Sequence, residues 1–408
     1  MKVLLTEGSG LTSRQTAGRL HAMGHTVGVL SSDPIALTRF TRAVRHWHRV
    51  PSFGANPFTW FDAAIDIVRQ FRYDLLFPTQ EQVTVLSCAA ERLEGVTTLV
   101  PEFESLRAVQ DKIAAHATLR RLGIPQPAGS VLHDLDELRH WDEFPVFMKT
   151  PIGTATTGVR HIVDRPGLES LAREWDATGV FNRDSDGVIA QIQAVGPLAM
   201  LQAVFDHGRL VAFHANLRTK EGVRGGASHK QSIVAPDARS VIETLGRELV
   251  WHGALSADVI LTVDGPLVID VNPRLVEPGN AWNAGVDLVG AMVDIACGRT
   301  PAAQPTGRPD VKTHQLLLAI LGAAQRGGGR RRILGELTAA ARHLGEYADS
   351  IEELTPIAHD WRAGLPGMFA AASTLVKPTT WEWFSSGSVA NYAITPEGWR
   401  AICAWPRA

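Results

Sequence analysis

Short apolar runs alternate with helical patterns along the first hundred residues. The apolar runs predict strands at 3–5, 25–30, 74–78 and 98–101. Between them, apolar residues at helical spacing predict helices over 12–23, 59–71 and from Glu81 onward. Strands that alternate with helices in this way predict a parallel, doubly wound sheet. Ligands of such sheets bind beyond the carboxyl ends of the strands, where Thr79, Gln80 and Glu81 follow one predicted strand.

A second pattern, at 257–272, predicts a β-hairpin with acidic residues on one face. Strands at 257–262 and 267–272 flank the turn Asp264-Gly265-Pro266. In the second strand Asp270 and Asn272 share a face, and the opposite face is wholly apolar. Asp258 lies on the partner strand, where a hairpin brings it level with them. Such oxygen ligands suit Mg²⁺ that holds phosphates. The alternative is that the Asp-x-Asn pair only caps a turn or helix.

Cationic and glycine-rich positions indicate a phosphate site earlier in the chain. The strand at 144–149 is apolar but ends in Lys149, and a buried ammonium is costly unless it meets an anion such as phosphate. The loop 153–159 consists of small residues, including Gly153 and Gly158, so its backbone N–H groups could closely approach phosphate oxygens. The alternative for this loop is a plain hairpin turn. Lys112 lies in the first turn of a predicted helix over 110–122.

The segment 216–230 carries four basic side chains and three glycines, with almost no apolar content. This composition predicts either a disordered surface loop or a mobile lid over anions. We expect Arg218 and Arg224 to bind anions here.

Several of these motifs resemble the ATP-grasp superfamily. Asp-Val-Asn-Pro-Arg at 270–274 is similar to its E-x-N-x-R signature. The resemblance implies that Asp258, Asp270 and Asn272 bind the metal and that Arg274, Arg224 and Arg218 are catalytic. It also implies nucleotide contacts, by Lys112, Lys149, Gly153, Gly158, Gln191 and Gln193. Gln191 lies in a segment that resembles the adenine-binding hinge, although Ile192 and Leu198 replace acidic residues that are usual there.

The resemblance implies an α/β protein with a Rossmann-like parallel-sheet domain at 1–104 and a two-part α+β ATP-grasp domain at 105–300. The halves of the second domain are expected at 105–185 and 186–300. Residues 301–408 form a C-terminal extension of unknown role. It begins with a Pro/Gly-rich connector, and a basic turn is predicted at 327–332. Its clustered tryptophans predict a core or an interface, and alternatively the wall of an acceptor pocket or a dimer contact.

The activity that the resemblance implies is ADP-forming ligation with ATP and Mg²⁺ or Mn²⁺. A small-molecule carboxylate becomes an acyl phosphate, and an amine then displaces phosphate. The alternatives are a bicarbonate-activating, carboxylase-like enzyme and a non-catalytic ATP-binding regulatory protein. A nicotinamide site at Gly8-Ser9-Gly10 is a more distant alternative, because Ser13 stands at the third glycine position of that fingerprint.

Composition excludes some classes of partner. The formal net charge is −2, so no large basic face is expected and nucleic acid is not a predicted partner. No apolar run reaches the length of a membrane span, and no membrane association is expected. Three scattered cysteines predict a reducing cytoplasm. A homodimer is possible on this sequence.

Overall fold

The computed structural model describes residues 1–182, 186–327, 329–354 and 360–406. The strands are β1 (Lys2–Leu5), β2 (Thr26–Ser31), β3 (Val44–Arg49), β4 (Leu75–Phe77), β5 (Gly129–Leu132), β6 (Val146–Lys149), β7 (Val159–Ile162), β8 (Val188–Ile192), β9 (Leu198–Asp206), β10 (Arg209–Glu221), β11 (Ala227–Ser232), β12 (Gly253–Thr262), β13 (Gly265–Asn272), β14 (Lys312–His314) and β15 (Ser350–Glu352).

The helices are α1 (Leu11–Ala22), α2 (Pro57–Phe71), α3 (Val83–Cys88), α4 (Phe103–Gln110), α5 (Lys112–Arg121), α6 (Leu135–His140), α7 (Arg165–Thr178), α8 (Pro236–Glu248), α9 (Gly279–Ala284), α10 (Leu288–Ala296), α11 (Leu316–Gln325), α12 (Gly329–Ala341), α13 (Gly364–Val376), α14 (Trp381–Ala390) and α15 (Pro396–Cys403). None of these helices has the length and apolar character needed to cross a bilayer.

The N-terminal sheet is parallel, with strand order β3-β2-β1-β4. The apolar residues of β1 and β4 are buried because elements pack on both faces of the sheet. The predicted parallel α/β arrangement is therefore confirmed. The strand predicted at 98–101 is wrong, since only Thr98 forms a single bridge, to Leu76, and Pro101 lacks the N–H that a ladder needs. Strand β3 was not predicted from the sequence, because it is a partly exposed edge strand with a polar sequence.

A second sheet is antiparallel, with strand order β5-β8-β6-β7. Its core forms where Leu168, Leu171 and Trp175 of α7 pack with Val146 and Met148 of β6. Strand β8 follows residue 185 in the chain, yet it pairs with strands from before that position. The sheet carries the glycine-rich loop 153–159 at the turn between β6 and β7.

The largest sheet has seven strands in the order β13-β12-β9-β10-β11-β14-β15. Its last two strands come from beyond residue 300. The loop or lid predicted at 216–230 is wrong, because β10 continues to Glu221, turns at 223–225 and returns as β11. Arg218 pairs with Lys230 across this hairpin. The sequence did not predict these strands, because their side chains face a polar interior and so lack the apolar residues that usually indicate a buried strand.

The C-terminal helices pack in two places. Helices α11 to α13 share a small apolar core that includes Ile320, Ile333 and Ala371, whereas α15 returns to the N-terminal domain and adds Trp399 to its core. The expected core role of the clustered tryptophans is thus confirmed for Trp399. The basic turn predicted at 327–332 is wrong from residue 329 onward, where α12 begins, because arginines favour helix. Residue 328 lies outside the described residues.

Candidate active site

Two carboxylates of the β12–β13 hairpin lie directly across from each other. The strand register pairs Asp258 with Asp270 and Ser256 with Asn272. Burial raises the pKa of Asp258 to about 7, and the nearby charge of Asp270 adds to this shift. Facing carboxylates repel each other, and a divalent cation bound between them removes that repulsion. The arrangement is therefore suited to a metal ion held by oxygen ligands.

Two lysines carry the opposite charge beside this pair. The ammonium of Lys149 donates to Gln191 Oε1 at 2.7 Å and to the Ile269 carbonyl at 2.7 Å. Burial lowers the pKa of Lys149 to about 8, and Asp270 opposes this shift. Lys112 Nζ donates to the Gly153 carbonyl at 2.8 Å and lies 3.9 Å from Asp270 Oδ1. The lysines thus stand between the carboxylate pair and the glycine-rich loop, where an anionic ligand would stabilise both ammonium groups.

The geometry of the loop requires its two glycines. A Cβ at Gly153 would lie 2.0 Å from the Thr157 carbonyl oxygen. Gly158 has a φ of +79°, and a Cβ there would lie 2.0 Å from Thr150 Oγ1. The hydroxyl of Thr154 lies 3.2 Å from Glu81 Oε1, so the loop is tied to the N-terminal domain. These contacts keep the backbone of the loop close to the lysines.

Glu81 links the N-terminal sheet to the β12–β13 hairpin. Its Oε1 accepts from Arg274 Nε at 3.2 Å, and its Oε2 accepts from Gln110 Nε2 at 2.8 Å. Arg274 Nη2 also reaches Asn272 Oδ1 at 3.4 Å. Arg274 is buried, so the pairing with Glu81 fixes its guanidinium next to the carboxylates. The sequence allowed Glu81 either to line a crevice or to be the first-turn acid of a helix, and in the structure its carboxylate contacts Arg274 of the segment that follows β13.

The remaining predicted site residues each have a hydrogen-bond partner of their own. Arg218 donates to the Gly225 carbonyl at 2.6 Å, and its charge counteracts the raised pKa of Asp258. Arg224 has a φ of +50°, and its Nε donates to Ser385 Oγ at 3.0 Å, so the guanidinium is held by α14. Gln193 shares a hydrogen bond of 2.8 Å with His161 at the surface, away from Lys149. Arg218 therefore acts electrostatically on Asp258, while its hydrogen bond, like those of Arg224 and Gln193, goes to another partner.

The sequence did not predict one cluster of charged residues in the interior. Lys230 Nζ lies 2.7 Å from Glu277 Oε2 and 2.9 Å from Glu353 Oε2, and we call this group the ion triad. Glu7 and Arg274 both act electrostatically on Tyr392, in opposite directions. The only available signals were that Lys230 belonged to a basic segment and that Glu7 preceded a glycine-rich turn. No local pattern pointed to Glu353 or Tyr392.

Comparison with known proteins identifies the architecture. No protein-family model matches the chain. It is 25% identical over 239 residues to a probable alpha-L-glutamate ligase of Serratia proteamaculans, which covers 55% of this chain and 76% of that protein. The L-amino acid ligase of Bacillus licheniformis superposes with a TM-score of 0.61 at 16% identity, covering 76% of this chain and 79% of that one.

The biotin carboxylase domain of 2-oxoglutarate carboxylase from Hydrogenobacter thermophilus also superposes with a TM-score of 0.61 at 18% identity, covering 76% of this chain and 73% of that one. The chain has the fold of these two structures, and its sequence is similar to that of a ligase. The resemblance to ATP-grasp proteins that the sequence indicated is thereby confirmed. In this chain, the carboxylate pair, the lysines and the glycine-rich loop lie together at one site. Its ligase relatives support the predicted carboxylate–amine chemistry.

Proposed function

We propose that this protein is an ADP-forming ligase that activates a carboxylate as an acyl phosphate and transfers it to an amine. The observation that carries the proposal is the placement of the facing pair Asp258 and Asp270 beside Lys112 and Lys149. The aspartate pair is suited to a divalent cation, and the lysine pair is suited to phosphate. A site built for a metal–polyphosphate complex needs both kinds of group within reach of each other.

The donor atoms fit Mg-ATP. Asp258, Asp270 and Asn272 would hold the metal ion through oxygen atoms, and Mn²⁺ would accept the same ligands. Lys112 and Lys149 would meet the phosphates. When bound, the metal would offset charge on the phosphoryl group during transfer. The similar biotin carboxylase domain is described with MgADP and bicarbonate, which supports nucleotide binding at this kind of site.

The chain itself positions the reactants and stabilises charge. A carboxylate oxygen of the substrate attacks the γ-phosphorus atom, and ADP leaves. The amine nitrogen then attacks the acyl carbon, loses a proton, and phosphate leaves. Lys112 and Lys149 would stabilise the negative charge of the transferred group, and Arg274 would orient the attacking carboxylate. Glu81 supports this role because its carboxylate fixes the direction of the Arg274 guanidinium.

The test is nucleotide turnover with trapping of the activated acid. The protein is incubated with Mg-ATP, a pool of amino and organic acids, and hydroxylamine, which converts an acyl phosphate to a hydroxamate. We expect ADP and hydroxamate in equal amounts. Asp270→Asn should reduce both by about 100-fold or more, since even outer partners of metal ligands commonly matter by 10–100-fold. Asp264→Asn is the matched control, because Asp264 is an exposed residue of the same hairpin.

Three results would contradict the proposal. AMP instead of ADP would exclude γ-phosphoryl transfer. Full activity of Asp270→Asn would exclude the assigned metal site. ADP formation that requires bicarbonate and no organic acid would favour the carboxylase-like alternative.

A further inference from the structure

The turn between β9 and β10 brings an aspartate and two histidines together at one end of the large sheet. Asp206 ends β9, His207 follows it in the turn, and His252 directly precedes β12. Strands β9 and β12 are neighbours in the sheet, and Gly253 of β12 pairs with Phe205 of β9. This antiparallel register places residue 252 next to residues 206 and 207, although they are distant in the sequence.

The two imidazoles converge on one carboxylate oxygen. Asp206 Oδ1 lies 3.1 Å from His207 Nδ1 and 3.7 Å from His252 Nδ1. Each of the three residues has a potential ligand atom within 4.8 Å of those of the other two. Ligands of a tetrahedral zinc ion stand about 3.3 Å apart, because each lies about 2.0–2.2 Å from the metal. The two observed separations bracket this value, so the spacing suits a single ion between the three residues.

Two of these atoms are hydrogen-bond acceptors that lie close together. The backbone N–H of His207 donates to His252 Nδ1 at 3.3 Å, so this nitrogen carries a lone pair instead of a proton. The carboxylate oxygen Asp206 Oδ1, at 3.7 Å from it, is also an acceptor. Two neighbouring acceptors repel each other, and a cation bound between them would attract both.

Hydrogen bonds around the group hold the aspartate and the turn in place. Arg209 Nη2 donates to Asp206 Oδ2 at 2.9 Å, so the carboxylate keeps its other oxygen for the imidazoles. The Gly208 N–H donates to the Trp251 carbonyl at 2.7 Å, which fixes the turn on the residues that precede β12. The ligand positions are therefore set by the backbone of two neighbouring strands, as a metal site requires.

The two histidines differ in their freedom to move. Their ring centroids lie 3.9 Å apart, and the ring planes are tilted by 31°. The side chain of His207 is 71% exposed, whereas that of His252 is 22% exposed. His207 can therefore turn about its side-chain torsions to direct its lone pair at an ion, while His252 supplies a fixed nitrogen. The exposed side of the group leaves a coordination position for water.

We propose that Asp206, His207 and His252 form a zinc site that joins the β9–β10 turn to the start of β12. Two imidazole nitrogens and one carboxylate oxygen suit Zn²⁺, whereas Mg²⁺ favours oxygen ligands. Asp258 of the carboxylate pair lies further along β12, about 20 Å away at about 3.3 Å per residue. The zinc site is thus separate from the site proposed for Mg-ATP, and its ion would stabilise the two turns without taking part in catalysis.

The test is a measurement of bound zinc while Mg²⁺ saturates sites made of oxygen ligands. The full chain, freed of any purification tag, is dialysed against Zn²⁺ with an excess of Mg²⁺, and the zinc per chain is determined by atomic emission. We expect one zinc ion per chain. His252→Gln and His207→Asn should each weaken zinc binding by at least about tenfold to hundredfold, which is the effect of losing only an outer partner of a metal ligand. Asparagine suits position 207, because the φ of His207 is +49°.

Two control variants should keep the zinc. His140→Gln removes another exposed histidine, whose Nδ1 lies 2.6 Å from the Asp136 carbonyl. Asp270→Asn alters the carboxylate pair of the active site and none of the proposed zinc ligands. Loss of zinc in Asp270→Asn but in neither histidine variant would assign the ion to the active site and overturn the proposal. Zinc binding here requires no nucleotide and no turnover, so the result is independent of the proposed ligase function.

Urea unfolding with and without Zn²⁺ provides a second readout. An ion that binds only the folded state stabilises it, so zinc should raise the unfolding midpoint of the wild type and not that of His252→Gln or His207→Asn. A chain that retains no zinc, or equal zinc content and equal stabilisation in the wild type and both histidine variants, would overturn the proposal. If His252→Gln does not fold, His207→Asn decides alone, because His207 is an exposed residue of a turn.

Discussion

The ion triad provides a quantitative test of how the C-terminal extension is attached. Lys230 is 2% exposed, and its ammonium touches Glu277 and Glu353 at 2.7 and 2.9 Å. Burial alone disfavours the ammonium, but the two carboxylates more than compensate and raise the pKa of Lys230. The side chain is therefore charged, and it joins β11 to the segment that follows β15.

Lys230→Met keeps the length of the side chain and removes the charge. Two carboxylates would then face each other in the interior without a cation. Removal of one partner from a buried ion pair costs about 3–5 kcal/mol, mostly because the other charge is left uncompensated. Lys220→Met is the matched control. Lys220 pairs with Glu336 at 2.6 Å in a partly exposed position, so its loss should cost about 1 kcal/mol.

The free energy of unfolding is measured by urea titration, with circular dichroism and tryptophan fluorescence as separate probes. In Lys230→Met the facing carboxylates should have raised pKa values, so the folded state takes up protons that the unfolded state does not. Its deficit relative to wild type should therefore shrink as the pH falls from 7 toward 4.5. A loss no larger than that of Lys220→Met, or a deficit that grows on acidification, would refute the reasoning. Lys230→Met combined with Glu353→Gln should recover part of the loss.

Three further outcomes follow from the structure. Burial lowers the pKa of His214 to about 4 and that of His229 to about 3, so the folded state binds fewer protons than the unfolded state below pH 6.5. The free energy of unfolding of the wild-type protein should therefore fall by about 1.4 kcal/mol per pH unit for each of these histidines as the pH is lowered from 6.5 to 4. Urea unfolding at several pH values measures this, and a free energy of unfolding that does not change with pH would contradict it. Gly153→Ala forces a Cβ within 2.0 Å of the Thr157 oxygen, so ATP turnover should drop at unchanged circular dichroism. In Gly335→Ala, the added Cβ would have no atom within 4 Å, and alanine loses less backbone entropy than glycine when it enters helix α12. The substitution should therefore stabilise the protein by about 0.5–1 kcal/mol, and a lower melting temperature would contradict this.

Local patterns predicted the parts of the site that lie within single elements. Asp258 and Asp270 could be placed because a hairpin has a two-residue period and a short turn, which set the register. Lys149 could be predicted because a lysine at the end of an otherwise apolar strand is costly to bury unless it meets an anion. The positions of these side chains are set by residues only a few positions away in the chain, so they could be predicted from the sequence alone.

The contacts that assemble the site come from distant parts of the chain and leave no local signal. Glu81 and Arg274 are separated by 193 positions, and Lys230 and Glu353 by 123. The β10–β11 hairpin was missed for a different reason. Its buried face carries Arg218 and Lys230, and a polar buried face has the composition of a surface loop.

The large sheet receives its last two strands from residues 312–352, after most of the site residues have been synthesised. Until β14 emerges from the ribosome, β11 is an open edge with unpaired backbone N–H and C=O groups, a template for pairing with other chains. A chain that stops at residue 300 would retain Asp258, Asp270 and Lys149 but keep that edge permanently. The C-terminal segment therefore moves the open edge of the sheet from β11 to β15, which has only three residues, and very short edge strands are poor templates for pairing with other chains.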